Sequence, residues 1–430
     1  MPPAETPDVL VAGGGIAALC AALAARRAGA SVLLAEQAPE GLRGGNVRHA
    51  RNLRIMHEAP SRLSPDCYGE AEFLNDLQQV SGGTCDEALA RLFVRRSADL
   101  PNWLEDHGVA FQLPAAGALP YSRKTIFLLG GGMAMLNALY RTARKMGVRI
   151  AYDCEVTALH PDGSAEMTSA GRPITVASRA AIACSGGYQA NRAWLQQDFG
   201  SAAENFVNRG TAFATGALLR SLLDGGAATV GKPDACHLVA VDARSPAFDG
   251  GVISRVDGFR FGAVIDRNGD RCHDEDDWSG PTRYSAWGRE VAARPGQIAF
   301  LVLDAVGVEQ APPSIFPSIV AQSLAEMAGF LGVDAENFVR NVTANGRVKN
   351  PPFHAFPIRP GVTFTCCGLK VDQAAHIVTK HGDPSPALFA AGMIMAPNIL
   401  GAGYLAGVAL TIGAVFGVIA GEGAARHVRA

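Results

Sequence analysis

The sequence predicts an α/β protein, α+β overall, with one parallel-sheet domain assembled from both chain ends and a second domain inserted between them. Three observations lead there. Near the N-terminus an apolar strand, Asp8–Ala12, runs into Gly13-Gly14-Gly15 and a small-residue helix, and a second strand then ends at Glu36. After Pro351-Pro352 the chain is again apolar and glycine-rich. Between these parts lies a polar, turn-rich stretch. The expected boundaries are 1–234 and 351–430 for the split domain and 235–350 for the insertion. A chain of 430 residues exceeds one ordinary core, which fits two domains.

The first unit carries most of the information. Gly13, Gly15 and Ala18 fill the three small-residue positions of G-x-G-x-x-G/A. Gly13 permits the tight turn, Gly15 lets backbone approach a pyrophosphate, and Ala18 lets the helix pack close to the strand. The helix N-terminus offers N–H groups and a partial positive charge to phosphate. Glu36 follows about 20 residues later, where a ribose hydroxyl needs an acceptor. A strand before, a helix after and an acid at that distance together predict a dinucleotide site.

Further along, strands are expected at 8–12 and 31–35 around a helix at 16–28. Asp86–His107 has helical apolar spacing, and Gly130-Gly131-Gly132 opens a helix over Met133–Met146. Gly147–Leu159 reads as strand. Ala180–Cys184 is an apolar strand entering Ser185-Gly186-Gly187, a second turn where backbone can pass close to a ligand. Thr215–Leu223 reads as helix. Cys236–Trp287 reads as polar and short-stranded, with a hairpin turn at Asp266–Gly269. Residues 295–350 mix a strand, Ile298–Leu303, with two helices.

Composition excludes several classes. A net charge of −2 recommends no nucleic acid partner. The nine cysteines form no C-x-x-C and no zinc spacing, so a metal centre, an iron–sulfur cluster and a disulfide framework are not expected. The first residues lack the basic and apolar regions of a signal peptide. No charged side chain occurs from Pro384 to Gly421, long enough to span a bilayer. Pro386, Pro397, Asn398 and recurrent glycines favour a buried helix under a cofactor instead, and no transmembrane span is expected.

Four ordered patterns resemble the fumarate reductase/succinate dehydrogenase flavoprotein family. They are the N-terminal fingerprint with Glu36; Arg43-Gly44-Gly45-Asn46; Asn268–Glu275 followed by Thr282-Arg283-Tyr284; and Ala390-Ala391-Gly392, Asn398, Gly403–Gly407 and Phe416–Gly421. Together they cover essentially the whole chain. Within that family the segments Arg43–Arg54, Cys236–Arg244, Phe248–Arg255 and Arg283–Gly288 are most similar to tricarballylate dehydrogenases and to the CobZ flavoprotein.

The resemblance implies a Rossmann-like FAD-binding domain with an inserted capping domain, and FAD rather than NAD. It places the adenosine half along Gly13, Gly14, Gly15, Ala18, Glu36 and Gln37, and the pyrophosphate and flavin edge along Arg43, Gly44, Gly45 and Asn46. Val156, Ser185, Gly186, Gly187, Gly392, Asn398 and Leu405 complete the expected cofactor residues. A helix starting near Leu405 would aim its N-terminus at the flavin and favour the anionic reduced ring. No attachment histidine stands beside Gly44-Gly45, so the FAD is expected to be non-covalent.

The family chemistry removes an α-proton and a β-hydride from a saturated carbon pair beside a carboxylate. Arg283 takes the place of the family's acid/base arginine. An arginine is almost never neutral, so an acid must assist it, and Asp274, Glu275, Asp276 and Asp277 are the candidates. Two family carboxylate ligands are replaced here, a histidine by Phe364 and an arginine by Tyr404, which argues against plain succinate or fumarate. The run Arg48, His49, Arg51, Arg54 and His57 offers compensation, with His49 and Arg51 as further catalytic candidates. His237, Arg244, Arg359 and Tyr404 are additional substrate-binding candidates. Planar guanidinium groups grip carboxylates in bidentate fashion.

The resemblance therefore implies an FAD-dependent dehydrogenase converting a polycarboxylic acid, as tricarballylate to cis-aconitate. It implies a separate iron–sulfur membrane partner as electron acceptor, and a cytoplasmic flavoprotein held at the inner membrane face through that partner. Three alternatives remain open at this point: a CobZ-like precorrin-3B synthase, a non-catalytic flavin electron-relay subunit, and a nicotinamide-binding protein.

Overall fold

The computed structural model describes residues 6–114, 123–278 and 283–430. Thr282 and residues 1–5, where part of the leader reading falls, lie outside the described residues. The chain divides into two compact units: 1–190 with 213–235 and 364–430, and 191–212 with 236–363. The second unit thus takes in 191–212, which precedes the expected insertion.

The first unit is built on a six-stranded sheet. Its order is His376–Val378, Pro384–Ala390, Ala180–Ala183, Val9–Ala12, Val32–Ala35 and Arg149–Ala151. All neighbours run parallel except the His376–Val378 edge. Strands from both chain ends therefore share one sheet. Val9–Ala12 is central and buried throughout, which explains its unbroken apolar run.

The first helix, Ile16–Arg27, packs against the C-terminal helix, Val408–His427. The uncharged tail has its explanation in this contact. Gly413, Gly417 and Gly421 recur every four residues and form one stripe on the helix surface. A Cβ at Gly417 would lie 2.5 Å from the Ala17 carbonyl oxygen, and one at Gly421 would overlap the Ala21 carbonyl. The stripe lets the two backbones meet. The helix is long and apolar enough to cross a membrane by length and composition, but most of its apolar stretch is buried in this unit.

Several expected boundaries move for local reasons. The helical run at 86–107 is two helices, Glu87–Ser97 and Leu100–Asp106. Pro101 has no N–H to donate to the carbonyl of Ser97, so the ladder breaks there. The helix expected near Leu405 begins at Val408, because Gly407 turns the chain with φ +84° and a Cβ there would lie 2.6 Å from Arg54 N.

The second unit holds a sheet of Val207–Asn208, residues 353–363 of the strand Phe353–Leu369, Ala299–Leu303 and Gly262–Asp266. Ala299, Leu301 and Leu303 face one core with Trp287 and Phe259. Phe300 and Val302 face another with Met327 and Phe338. This period-2 alternation between two cores is why the strand reads as wholly apolar. The stretch read as polar contains two buried strand segments, Cys236–Asp242 and Gly262–Asp266. Their terminal acids misled the reading: buried Asp242 is neutralised by Arg244. The hairpin turn stands, with Gly269 N donating to Asp266 O at 3.1 Å. A third helix, Ala305–Gln310, is added; Asp304 caps it by accepting from Val306 and Gly307 N–H groups.

Candidate active site

In the first unit, five chain segments meet around the glycine turn. Gly13 has φ +121°, and a Cβ there would lie 2.5 Å from the Cys184 carbonyl oxygen. A Cβ at Gly14 would overlap Glu36 Oε2 and the Tyr140 hydroxyl. At Gly15, by contrast, a Cβ would meet nothing nearer than 3.6 Å. Protein packing therefore does not demand glycine at position 15. Gly15 caps the first helix without any side-chain bond, and the first turn holds no acid. Ala18 is fully buried beneath it.

Glu36 is 6 % exposed. Its Oε1 accepts from Ala38 N at 2.9 Å and its Oε2 from Gly44 N at 3.3 Å. Burial pushes its carboxyl up, and these N–H groups and Arg43 pull it down; burial dominates. Cys154 N donates to Glu36 O at 3.0 Å, which sets the Val156 strand beside the acid, and Gln37 is half-exposed next to it. Arg43 donates to Asn137 Oδ1 at 2.7 Å and lies 4.7 Å over the Tyr140 ring. Asn46, Arg48 and His49 belong to the short turn Gly45–His49, and Arg48 Nη1 donates to Leu42 O. At the second glycine turn, a Cβ on Gly186 would meet open space, while Gly187 packs on Thr365. Among the described residues, Ser185 Oγ and Arg43 Nε are buried without a hydrogen-bond partner. Uncapped N–H groups, a pre-set acid, open glycines and orphaned donors fit a large nucleotide with a diphosphate.

The second unit concentrates cationic and imidazole groups. Arg283 opens a helix and grips Asp257 through Nε to Oδ1 at 3.0 Å and Nη2 to Oδ2 at 2.7 Å. Arg255 reaches the same Asp257 at 3.6 Å and stacks on Tyr284. His237 is buried, with Nδ1 3.3 Å from Ser285 Oγ. Burial, aided by Arg209 and Arg289, holds its imidazole well below the usual value. Arg209 is buried and donates to Thr363 Oγ1 at 2.8 Å and Gly251 O at 3.3 Å.

Residues 8–410 match the FAD_binding_2 family, an FAD binding domain. The chain belongs to this family. Its relatives include a probable fumarate reductase, Ifc3, of Shewanella frigidimarina, 24 % identical over 99 % of this chain and 76 % of the relative. Among solved structures, the open conformation of a flavocytochrome c3 fumarate reductase superposes with TM-score 0.80 at 21 % identity, covering 99 % of this chain and 79 % of that one. A 3-ketosteroid-delta4-(5alpha)-dehydrogenase from Rhodococcus jostii, bound to 4-androstene-3,17-dione, gives TM-score 0.74 at 22 % identity, covering 97 % and 96 %. The protein is an FAD-dependent oxidoreductase of the class acting on CH–CH groups.

Membership of an FAD-binding family does not settle each residue, and the geometry redirects several. Arg54 is 7 % exposed and engaged internally, donating to Ala406 O at 3.0 Å, Tyr68 Oη at 3.0 Å and Asp76 at 3.2 Å. It braces the start of the C-terminal helix rather than offering itself to substrate. Arg244 is held bidentate by Asp242, because a fully buried carboxylate claims the nearest guanidinium. Arg359 is half-buried and donates to Gly296 O at 3.3 Å. Asn398 is buried, and its Nδ2 donates to Leu369 O and Met395 O, so its side chain ties the chain to itself. Gly392 packs on Ala17, and Leu405 lies half-exposed just before the helix cap. Arg51 is exposed. The acid beside Arg283 is Asp257, none of the four proposed from sequence; Glu275 is fully buried and claimed by Arg271, Arg347 and Asn345. Phe364 and Tyr404, forty residues apart, form a tilted aromatic pair at 6.4 Å. Sequence reading missed Asp257, Tyr140 and Arg209, each of which gains meaning only from a partner distant in the chain.

Proposed function

We propose that the protein dehydrogenates a polycarboxylic acid of the tricarballylate type to the unsaturated acid. The observation that carries this reading is the placement of Arg209 and Arg289 within electrostatic reach of the buried His237, whose Nδ1 is 3.3 Å from Ser285 Oγ, in the same unit as the Arg255–Asp257–Arg283 chain. Guanidinium groups grouped about an imidazole suit substrates with several carboxylates. FAD, held along Gly13–Gly15, Glu36, Arg43–Asn46 and Ser185–Gly187, supplies the hydride acceptor when bound. The chain's own work is to bind carboxylates and move one proton. Arg283 cannot act as a base unaided. Asp257 Oδ2, 2.7 Å from Arg283 Nη2, is the acceptor to which that proton passes. His49 and Arg51 stand as further candidates at the basic run, with Arg48 beside them.

The electrons then need an outlet. Among the described residues no group of histidines, cysteines and acids could hold a metal ion. We assign the outlet to a separate iron–sulfur, membrane-linked partner, with the flavoprotein on the cytoplasmic side.

A second reading draws on the Phe364–Tyr404 pair. Half-exposed Tyr404, backed by the buried Phe364, offers an aromatic face suited to a ring substrate, and the ketosteroid dehydrogenase neighbour is bound to such a compound. One experiment separates the readings. The yellow holoenzyme is mixed anaerobically with tricarballylate, citrate, succinate, a precorrin and the saturated steroid 5α-androstane-3,17-dione, and flavin absorbance is followed. Bleaching by tricarballylate is expected. Bleaching only by the steroid or the precorrin overturns the polycarboxylate reading, and bleaching by none points to a relay subunit.

A further inference from the structure

We propose that Tyr140 is a positioning residue for the cofactor: by holding the Gly14 carbonyl, it aims the Gly15 N–H at the FAD diphosphate. The inference rests on the FAD cradle alone and is independent of which substrate the enzyme takes.

Tyr140 lies on the helix Gly131–Lys145, whose buried face is Leu136, Leu139, Tyr140 and Ala143. Only 1 % of Tyr140 is exposed. Its hydroxyl donates to Gly14 O at 2.9 Å, a bond between positions far apart in sequence. The peptide joining Gly14 to Gly15 is trans, since the cis bond found is Pro351-Pro352. In a trans peptide the C=O and the following N–H point in opposite directions within one plane. Fixing the Gly14 oxygen toward Tyr140 therefore fixes the Gly15 N–H on the opposite side. That side is the uncapped start of the first helix, where a Cβ on Gly15 would meet nothing nearer than 3.6 Å.

Other contacts lock the phenol in place. Its ring carries the Arg43 guanidinium at 4.7 Å. Its oxygen and Glu36 Oε2 flank the Gly14 Cα so closely that a Cβ there would overlap both. A phenol has one proton to donate, and here Gly14 receives it; Glu36 draws on Ala38 and Gly44 instead. Burial and the neighbouring Glu36 push the phenol pKa up, so the donor is retained across the working pH range. Tyr140 thus joins the glycine turn, the ribose acid and the Arg43 loop.

Tyr140→Phe keeps the ring and its Arg43 contact and removes only the hydroxyl. Full-length holoenzyme is diluted, and FAD release is followed by the rise in flavin fluorescence. Losing one aimed hydrogen bond predicts a dissociation constant about tenfold higher. The dissociation constant of ADP, obtained from competition after correction for the FAD constant of each protein, should rise by the same factor, whereas that of adenosine, which has no phosphate, should match wild type. Thermal melting of the FAD-free proteins is recorded in parallel. An unchanged FAD constant overturns the proposal. So does equal weakening for adenosine and ADP, or a weakening that only tracks a large fall in the melting temperature, because each marks a general loosening of the fold.

Discussion

His237 stays neutral in the folded chain because burial, reinforced by Arg209 and Arg289, disfavours its imidazolium form. The unfolded chain carries no such penalty and binds a proton near the ordinary value of 6.5. Below that pH the unfolded state holds more protons than the folded one, so stability falls as pH falls. The contribution is about 1.4 kcal/mol per pH unit below pH 6. Urea unfolding between pH 7.5 and 5 should show it, and His237→Gln should lose that part of the slope; an identical slope in both proteins would contradict the assignment. The same buried imidazole is thereby kept as a neutral hydrogen-bonding group beside two guanidinium groups. Asp257 and Arg54 teach a related lesson. An arginine's task is decided by the carboxylate it finds: Arg283 finds an acid that Arg255 also approaches, whereas Arg54 and Arg244 are absorbed into structure.

Among the elements, the pairing of first and last helices governs the cofactor cradle. In the proposed cradle the first helix offers its N-terminus to the diphosphate, and the C-terminal helix packs along it. Gly417→Val would place side-chain atoms where the Ala17 carbonyl stands, so the helices must separate. Such overpacking costs about 2–4 kcal/mol. FAD affinity should fall together with stability, measured by fluorescence release and thermal melting; a variant that melts normally would show that the stripe is dispensable. This element was half legible in the sequence. The absence of charge and the recurrent glycines signalled burial, but hydropathy alone cannot distinguish a helix packed on protein from one packed on lipid. Only the four-residue register of Gly413, Gly417 and Gly421 against Ala17 and Ala21 decides it.

At the level of the whole molecule, FAD is expected to stabilise the two units unequally. Its expected ligands lie in the first, while the second has its own two-sided core around Trp287 and Phe338. A ligand bound at about 100 times its dissociation constant adds roughly 2.7 kcal/mol. Calorimetry with and without excess FAD should show one transition moving and one staying; a single transition that moves as a whole would mean the units unfold together. The split organisation was legible because its signals are local: a strand, a glycine turn and an acid sit within forty residues, and the tail repeats the same character. The catalytic chemistry was less so. Arg283 was readable as a candidate, but its acid lies 26 residues earlier, and nothing in local spacing ties the two. Phe364 and Tyr404 were read as two separate substitutions and form one aromatic contact.

The glycine stripe also sets a timetable for biosynthesis. The first helix, carrying Ala17, Cys20, Ala21 and Ala24, is synthesised well before its partner surface on the Val408–His427 helix. Until then the nascent polypeptide has an apolar face without its mate and no finished seat for the coenzyme. The seat for the coenzyme is completed only once the Val408–His427 helix has been made.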